Sequence, residues 1–366
     1  MTAEKLIVYL LMLSVLVVLH EYGHFIVARR NGVRVTDFAL GMGPTLLKWT
    51  SPRSGTNYRL NLLPIGGYCQ MKGEDGRSNE AEQQREFRAG RLYDPDNFQS
   101  KSPLQRLAIV VAGPVMNFIV ALVLFFGAGV AFGIPTLTTV VGPLVHGYPA
   151  ERAGMQQGDR IVAVDGVPMR DGAQLITLIH RSSGKLLHVT FERGGVTRTI
   201  DVTPRDGNVG DGTRAGLLGF KPVTAPARLG VLDSAHRAWD EFAGVVTATL
   251  GALGGLFTHP AQVASQVQGP IGMARASAQV EDLGPYAFLS LAGLISVSLG
   301  IFNLLPIPAL DGGRGAFILV EMLRGRPVDP EKEALVHFGG FAVLIALMIA
   351  VSFHDVSAAI AGRGAF

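Results

Sequence analysis

Metal-binding side chains set inside a membrane-length apolar run constrain this chain more than any other feature. The run extends from Leu6 to Ala28, and His20, Glu21, Tyr22, Gly23 and His24 stand near its end. A charged residue at the centre of a membrane helix costs about 2.5–3.5 kcal/mol on insertion scales, so such residues mark function. Histidines four apart on a helix share one face, where one tetrahedral zinc can take a nitrogen from each. The intervening Glu21 lies about a quarter-turn away, within reach of a water at the metal without being a ligand. The competing reading makes both histidines helix-end residues reaching for the interface.

Composition agrees with a membrane setting. Hydrophobic residues make up 48% of the 366 and charged residues 17%, where soluble chains carry about 25% charged; mean hydropathy is +0.32. Four runs reach the length of about 20 residues that a spanning helix needs: Leu6–Ala28, Leu107–Phe132, Tyr286–Leu310 and Leu335–Phe353. The net charge of +3 comes from scattered basic residues with no aromatic platform, which excludes nucleic acid as a partner. The first run is not a cleaved leader, because Lys5 is its only basic lead and it continues into the histidine motif. Cys69 is the one cysteine, read as a small buried residue with no disulfide partner. Nothing in the sequence specifies an oligomer.

Basic residues orient the spans. Arg29, Arg30 and Arg34 follow the first run, Lys101 and Arg106 precede the second, and Arg314, Arg324, Arg326 and Lys332 join the last two. The positive-inside rule places these ends in the cytoplasm, with both termini outside. Between the first two spans, Asn57–Leu63 alternates, Pro64–Gly67 turns and Tyr68–Met71 resumes, which predicts a β-hairpin able to offer an edge to an extended peptide. The charged stretch Glu74–Asn97 is expected to be a mobile loop. The second span holds Gly113 and Pro114, which open or kink it and permit close packing, and Asn117, which can hydrogen-bond to the histidine helix.

Residues 136–205 read as a separate domain of short strands around a helical piece at Gln174–Ile179. The residues after it, 206–228, read as a Gly/Pro-rich linker. The apolar segment Phe242–Thr258 is Gly-rich and short.

A zinc site needs a third protein ligand. The third span ends in Asn303-Leu-Leu-Pro306-Ile-Pro308-Ala-Leu-Asp311-Gly-Gly. Two prolines break the helix, and backbone freed at that depth requires a lined cavity. Asp311 emerges there as the expected third ligand, with Asn303, Pro306 and Pro308 lining the cavity. Were Phe242–Thr258 also a span, Asp311 would sit about 30 Å from the histidines across the bilayer. That segment is therefore expected to lie at the outer surface.

Pro149, Ala150, Ala153, Gly154, Gly158, Asp159 and Gly166 make the middle domain resemble a bacterial PDZ domain. The histidine motif, Gly113-Pro114 with Asn117, this insert and the Asn303–Gly312 motif together resemble the site-two protease family of M50-type intramembrane zinc metalloproteases. The resemblance implies His20, His24 and Asp311 as ligands of one Zn2+ and Glu21 as catalytic base. It implies substrate contacts at Asn303, Pro306, Pro308, Tyr68 and Met71, with Asn117 and Gly113 in support. The implied partners are the bilayer and single-pass membrane proteins, either anti-sigma factors after a first cleavage or remnant signal peptides, in a bacterial inner membrane. The zinc site would lie near the cytoplasmic face, with the PDZ-like domain and both termini periplasmic. Two other functions fit parts of the sequence: an inactive PDZ membrane adaptor, and a metal transporter, which the absence of repeat halves disfavours.

The expected architecture is membrane α-helical: four transmembrane helices with a membrane-associated β-hairpin and one extracytoplasmic PDZ-like domain. Its segments are a first helix with the zinc motif (1–30), a cytoplasmic loop with the hairpin (31–104), the second helix (105–133), the PDZ-like domain (136–205), an extracytoplasmic linker and surface helix (206–284), the third helix carrying Asp311 (285–311), a cytoplasmic loop (312–334), the fourth helix (335–353) and a tail (354–366).

Overall fold

The computed structural model describes residues 2–74, 94–209, 213–260, 270–281, 283–326 and 328–360. The chain divides into two units, Met1–Ala128 with Val231–Phe366, and Gly129–Gly230. The stretch expected to be a mobile loop, 74–97, falls mostly outside the described residues, as does the end of the tail.

The first unit is built on helices. Among the described residues, four are long and apolar enough to cross a membrane: α1 (Ala3–Arg30), α2 (Pro103–Phe132), α7 (Pro285–Leu304) and the stretch Lys332–Phe353 of α9 (Pro330–Ile360). No residue of that stretch of α9 is buried in the chain, so its side chains suit lipid rather than a protein interior. Thr2 caps α1 through its hydroxyl, and Arg29 and Arg30 close its last turn, where cations favour the helix dipole. Tyr9, Met12 and Leu16 of α1 pack with Ala292 and Ile295 of α7.

Between α1 and α2 lies a sheet made from two long bent strands, β1 (Val35–Thr50) and β2 (Asn57–Met71). This corrects the expected hairpin within 57–71: residues 57–71 form one strand, and its partner is β1. Residues 37–40 of β1 pair on one side with Gly67–Gln70 and on the other with Asn57–Leu60, whose far side pairs with Leu47–Thr50. Gly67 bends β2 against β1, since a Cβ there would sit 2.7 Å from the Ala39 carbonyl oxygen. The run Gly67–Met71 is consequently a sheet edge. Val35, Phe38, Cys69 and Met71 anchor the sheet to Phe25 and Ala28 of α1 and to Ile109 and Val110 of α2. Its far end exposes Leu46, Leu47, Leu62 and Leu63, an apolar surface suited to lipid.

Two further expectations change. The surface helix expected at 242–258 is part of a longer helix, α5 (Val231–Thr258), and is not a candidate span. Phe242, Val245, Val246 and Leu253 pack against Ala121, Phe125, Val297 and Ile301, so its apolar face is covered by α2 and α7. A shorter helix, α6 (Pro270–Glu281), follows. The third span ends at Leu304, short of Asp311, because Pro306 cannot join the helical ladder. Asp311 instead opens a new helix, α8 (Asp311–Arg324), within the expected loop 312–334. Arg106 of α2 and Glu321 of α8 form a buried ion pair that ties this helix down.

The second unit is a sheet of order β10–β3–β4–β6–β7, with β5 (Val167–Pro168) paired to β4. Its strands are β3 (Ile134–Leu144), β4 (Arg160–Val164), β6 (Leu187–Arg193), β7 (Val196–Val202) and β10 (Phe220–Ala227). The expected linker 206–228 is thus mostly strand: β10 pairs with β3, and β8 (Arg205–Asn208) pairs with β9 (Arg214–Leu217). The turn α3 (Pro149–Arg152) and helix α4 (Gly172–Arg181) cover a core of Val141, Ile161, Leu175, Val189 and Phe191. Asp159, 1% exposed, receives two hydrogen bonds from Arg193 at 2.7 Å and one from the Gln156 N–H at 2.8 Å. These contacts outweigh burial, which alone would raise it, and hold the Asp159 carboxyl below its ordinary range.

Candidate metal centre

One helical turn separates His20 from His24, and both are buried where α1 crosses α2. Their Nε2 atoms lie 3.1 Å apart. Asp311, first residue of α8, brings Oδ2 to 3.0 Å from His20 Nε2 and 3.3 Å from His24 Nε2. An Asp at this position also favours the helix dipole.

The crossing depends on absent side chains. A Cβ at Gly23 would lie 2.4 Å from the Ala112 carbonyl oxygen, and one at Gly113 only 2.2 Å from His24 Nε2 and 2.7 Å from His20 Cε1. Glycine lets the helices close until both imidazoles fit between them.

Hydrogen bonds on the far side of each ring favour metal binding. His24 Nδ1 lies 2.8 Å from the Ile109 carbonyl oxygen, which only accepts, so Nδ1 carries the proton and Nε2 presents its lone pair. His20 Nδ1 faces the Asn117 amide at 3.1 Å, while Asn117 Oδ1 is buried without a partner. Turned over, the amide accepts from His20 Nδ1–H through that Oδ1 and leaves His20 Nε2 bare. The Asn117 carbonyl also accepts from Ser296 Oγ of α7 at 2.8 Å.

Three acceptors then converge with no proton between them, and Asp311 Oδ2 is buried without a hydrogen bond. A tetrahedral ion with bonds of about 2.0–2.1 Å separates its ligands by roughly 3.3 Å. The three observed separations are close to that spacing, so these residues fit zinc. Among the described residues they are the one such cluster of three or more potential ligands.

Glu21 borders two cavities. The larger, about 440 Å³, is lined by Glu21, His24 and Asp311 with Tyr68, Met71, Glu74 and Arg314. The other, about 250 Å³, brings Glu21 together with His20, Asn117, Asn303 and Asp311. Tyr68 and Met71 thus share a cavity with two of the metal-facing residues, and Asn303 shares one with Asn117. Pro306 and Pro308 line neither of these two cavities. Pro308 faces α9 instead, where a Cβ on Gly340 would come within 2.4 Å of it. The Ala309 N–H donates to His337 Nδ1 at 2.9 Å, and Ala309 has φ 77°.

The sequence reading missed Glu74, Arg314, His337 and the Ile109 carbonyl. Glu74 and Arg314 form an ion pair in the lining of the larger cavity. Neither residue belongs to a periodic pattern, so only the fold brings them together.

Two imidazoles, a carboxylate and a separate glutamate, set among membrane-length helices, form the kind of donor set that a metal-dependent hydrolase uses. The model of peptidase family M50 matches residues 8–347. The chain belongs to this family, the site-two proteases, and is a zinc metalloprotease. It is 31% identical to zinc metalloprotease RasP of Bacillus licheniformis, over 96% of this chain and 99% of that one. It is 30% identical to zinc metalloprotease RasP of Geobacillus kaustophilus, over 97% and 98%. Regulator of sigma-W protease RasP of Bacillus subtilis is 28% identical, over 97% and 99%.

Proposed function

We propose that this protein is an intramembrane endopeptidase that cuts single-pass membrane proteins within or near their membrane segment. The observation that carries this reading is the His20–His24–Asp311 triangle, of which His24 and Asp311 share a cavity with Glu21 and the sheet edge at Tyr68–Met71. His20, His24 and Asp311 hold the zinc. Zinc bound there supplies Lewis acidity, which polarises a peptide carbonyl and makes water nucleophilic near neutral pH.

The protein's own groups do the rest. Glu21 takes a proton from the attacking water and returns it to the departing amine nitrogen. Asn117 and the Ile109 carbonyl keep both imidazoles aimed through Nε2. A substrate helix shields its peptide bonds and must unwind to be cut; pairing with the edge at Tyr68–Met71 replaces the hydrogen bonds it loses. Asn303 contacts the unwound segment from the smaller cavity, while Pro306 and Pro308 act indirectly by shaping the turn into Asp311.

The substrates are anti-sigma factors already cut once, or leftover signal peptides; the name of the Bacillus subtilis relative, regulator of sigma-W protease, supports the first. The second unit is a PDZ-like domain that grips extended peptide ends. The distribution of basic residues supports an inner-membrane orientation with the zinc site toward the cytoplasm and the second unit and both termini outside.

Co-reconstitution with a single-pass peptide tests the reading. The unsubstituted protein cuts it, while Glu21→Gln retains zinc and cuts about 100- to 10,000-fold more slowly. Glu21→Gln cutting at the unsubstituted rate would refute the base assignment.

A further inference from the structure

The edge of the sheet beside the metal centre is already engaged by Glu74. Lys72 N–H donates to the Arg34 carbonyl at 2.9 Å, so Lys72 faces inward, toward the chain leading into β1. Met71, its neighbour, faces the other way, as strand alternation requires. Both outward groups of Met71 are taken by one residue. Its N–H donates to Glu74 Oε2 at 3.0 Å, and its carbonyl accepts from the Glu74 N–H at 3.2 Å. The other carboxylate oxygen of Glu74 pairs with Arg314, three residues beyond Asp311 on α8. Glu74 therefore copies what an added strand would do at Met71, and the ion pair fastens the copy to the helix that carries a metal-facing carboxylate. Glu74, Met71 and Arg314 line the same cavity as Glu21, His24 and Asp311.

We propose that Glu74 is a specificity-determining gate: a substrate strand takes the Met71 peptide group only by displacing the Glu74 carboxylate and breaking its pair with Arg314. This rests on the proteolytic reading above, and on strand addition in particular. A peptide that stays helical offers no free N–H or carbonyl to compete with Glu74, whereas an unwound one offers both. The gate thus admits unwound segments and rejects intact helices, a selection the metal centre does not make by itself.

The test uses the full chain with Glu74→Cys and Arg314→Cys in a Cys69→Ala background, joined in liposomes by a short bis-methanethiosulfonate, which forms a disulfide with each cysteine as a sulfinate leaves and is reversed by reduction. The probe is a single-pass peptide with helix-breaking residues in its membrane segment. The joined protein is expected to cut at least tenfold more slowly than the same protein after reduction, with bound zinc equal in both. Equal rates would overturn the gate. Should the reduced variant be inactive, Glu74→Ala decides: the proposal requires KM for the probe to fall severalfold, and an unchanged or raised KM overturns it. Failure of the unsubstituted protein to cut the probe overturns the proteolytic reading itself, and the gate with it.

Discussion

Adding one methyl group at Gly113 should dismantle the metal centre without touching a ligand. A Cβ there would lie 2.2 Å from His24 Nε2, 2.6 Å from His24 Cε1 and 2.7 Å from His20 Cε1. Ordinary carbon contacts begin near 3.5 Å, so one partner must retreat by more than about 1 Å. His24 has little room to do so, because Nδ1 is held by the Ile109 carbonyl at 2.8 Å and Nε2 faces Asp311 at 3.3 Å. Metal–ligand distances tolerate about 0.2 Å, so the ring cannot both yield and ligate. Overpacking of this kind costs about 1–3 kcal/mol, which corresponds to about 5- to 150-fold in zinc affinity when it falls on the bound state. The control is Gly127→Ala on the same helix, where an added Cβ meets nothing within 4 Å. Competition with a chelator reads zinc affinity, and the single-pass peptide reads cleavage. Gly113→Ala holding zinc as tightly as Gly127→Ala would refute the reasoning.

Other substitutions separate ligation from scaffold. Asn117→Ala removes the amide beside His20 Nδ1 and should weaken zinc binding by about 10- to 100-fold while α2 still folds, as shown by an unchanged helical circular dichroism signal. Asp159→Asn breaks the buried pair with Arg193 and should destabilise the second unit by about 3 kcal/mol, read as earlier proteolysis within Gly129–Gly230 with zinc content unchanged. Because the folded-state value of Asp159 is lowered, its contribution is present above its unfolded value of about 3.9 and is lost as pH falls through the lower folded value. Proteolytic resistance of the second unit should therefore fall in strong acid, and Asp159→Asn should blunt that dependence.

The sequence carried the helices and the metal-facing residues because each is written locally. Apolar length marks a span, a four-residue spacing places His20 and His24 on one face, and Pro306 with Pro308 announces a break before Asp311. The sheet was less legible. The alternation in 57–71 suggested a self-paired hairpin, but β1 holds Gly41 and Gly43 with positive φ and reads as irregular; its pairing is a long-range choice made against α1. The extent of the second unit was missed for the same reason, since β10 pairs with β3 across most of that unit. Pro306 and Pro308 were expected in the cavity because they flank it in sequence. Pro308 meets Gly340 and its neighbour Ala309 meets His337, on a helix about 30 residues later, which no local pattern encodes.

The central claim is that donors from α1 and α8 meet on one zinc. X-ray absorption at the zinc edge of the purified, zinc-loaded protein tests it directly. The account predicts one zinc per chain with two imidazole nitrogens and oxygen neighbours, with an altered zinc environment or loss of the metal in Asp311→Ala. A sulfur neighbour, or a zinc environment that Asp311→Ala leaves unchanged, would contradict it.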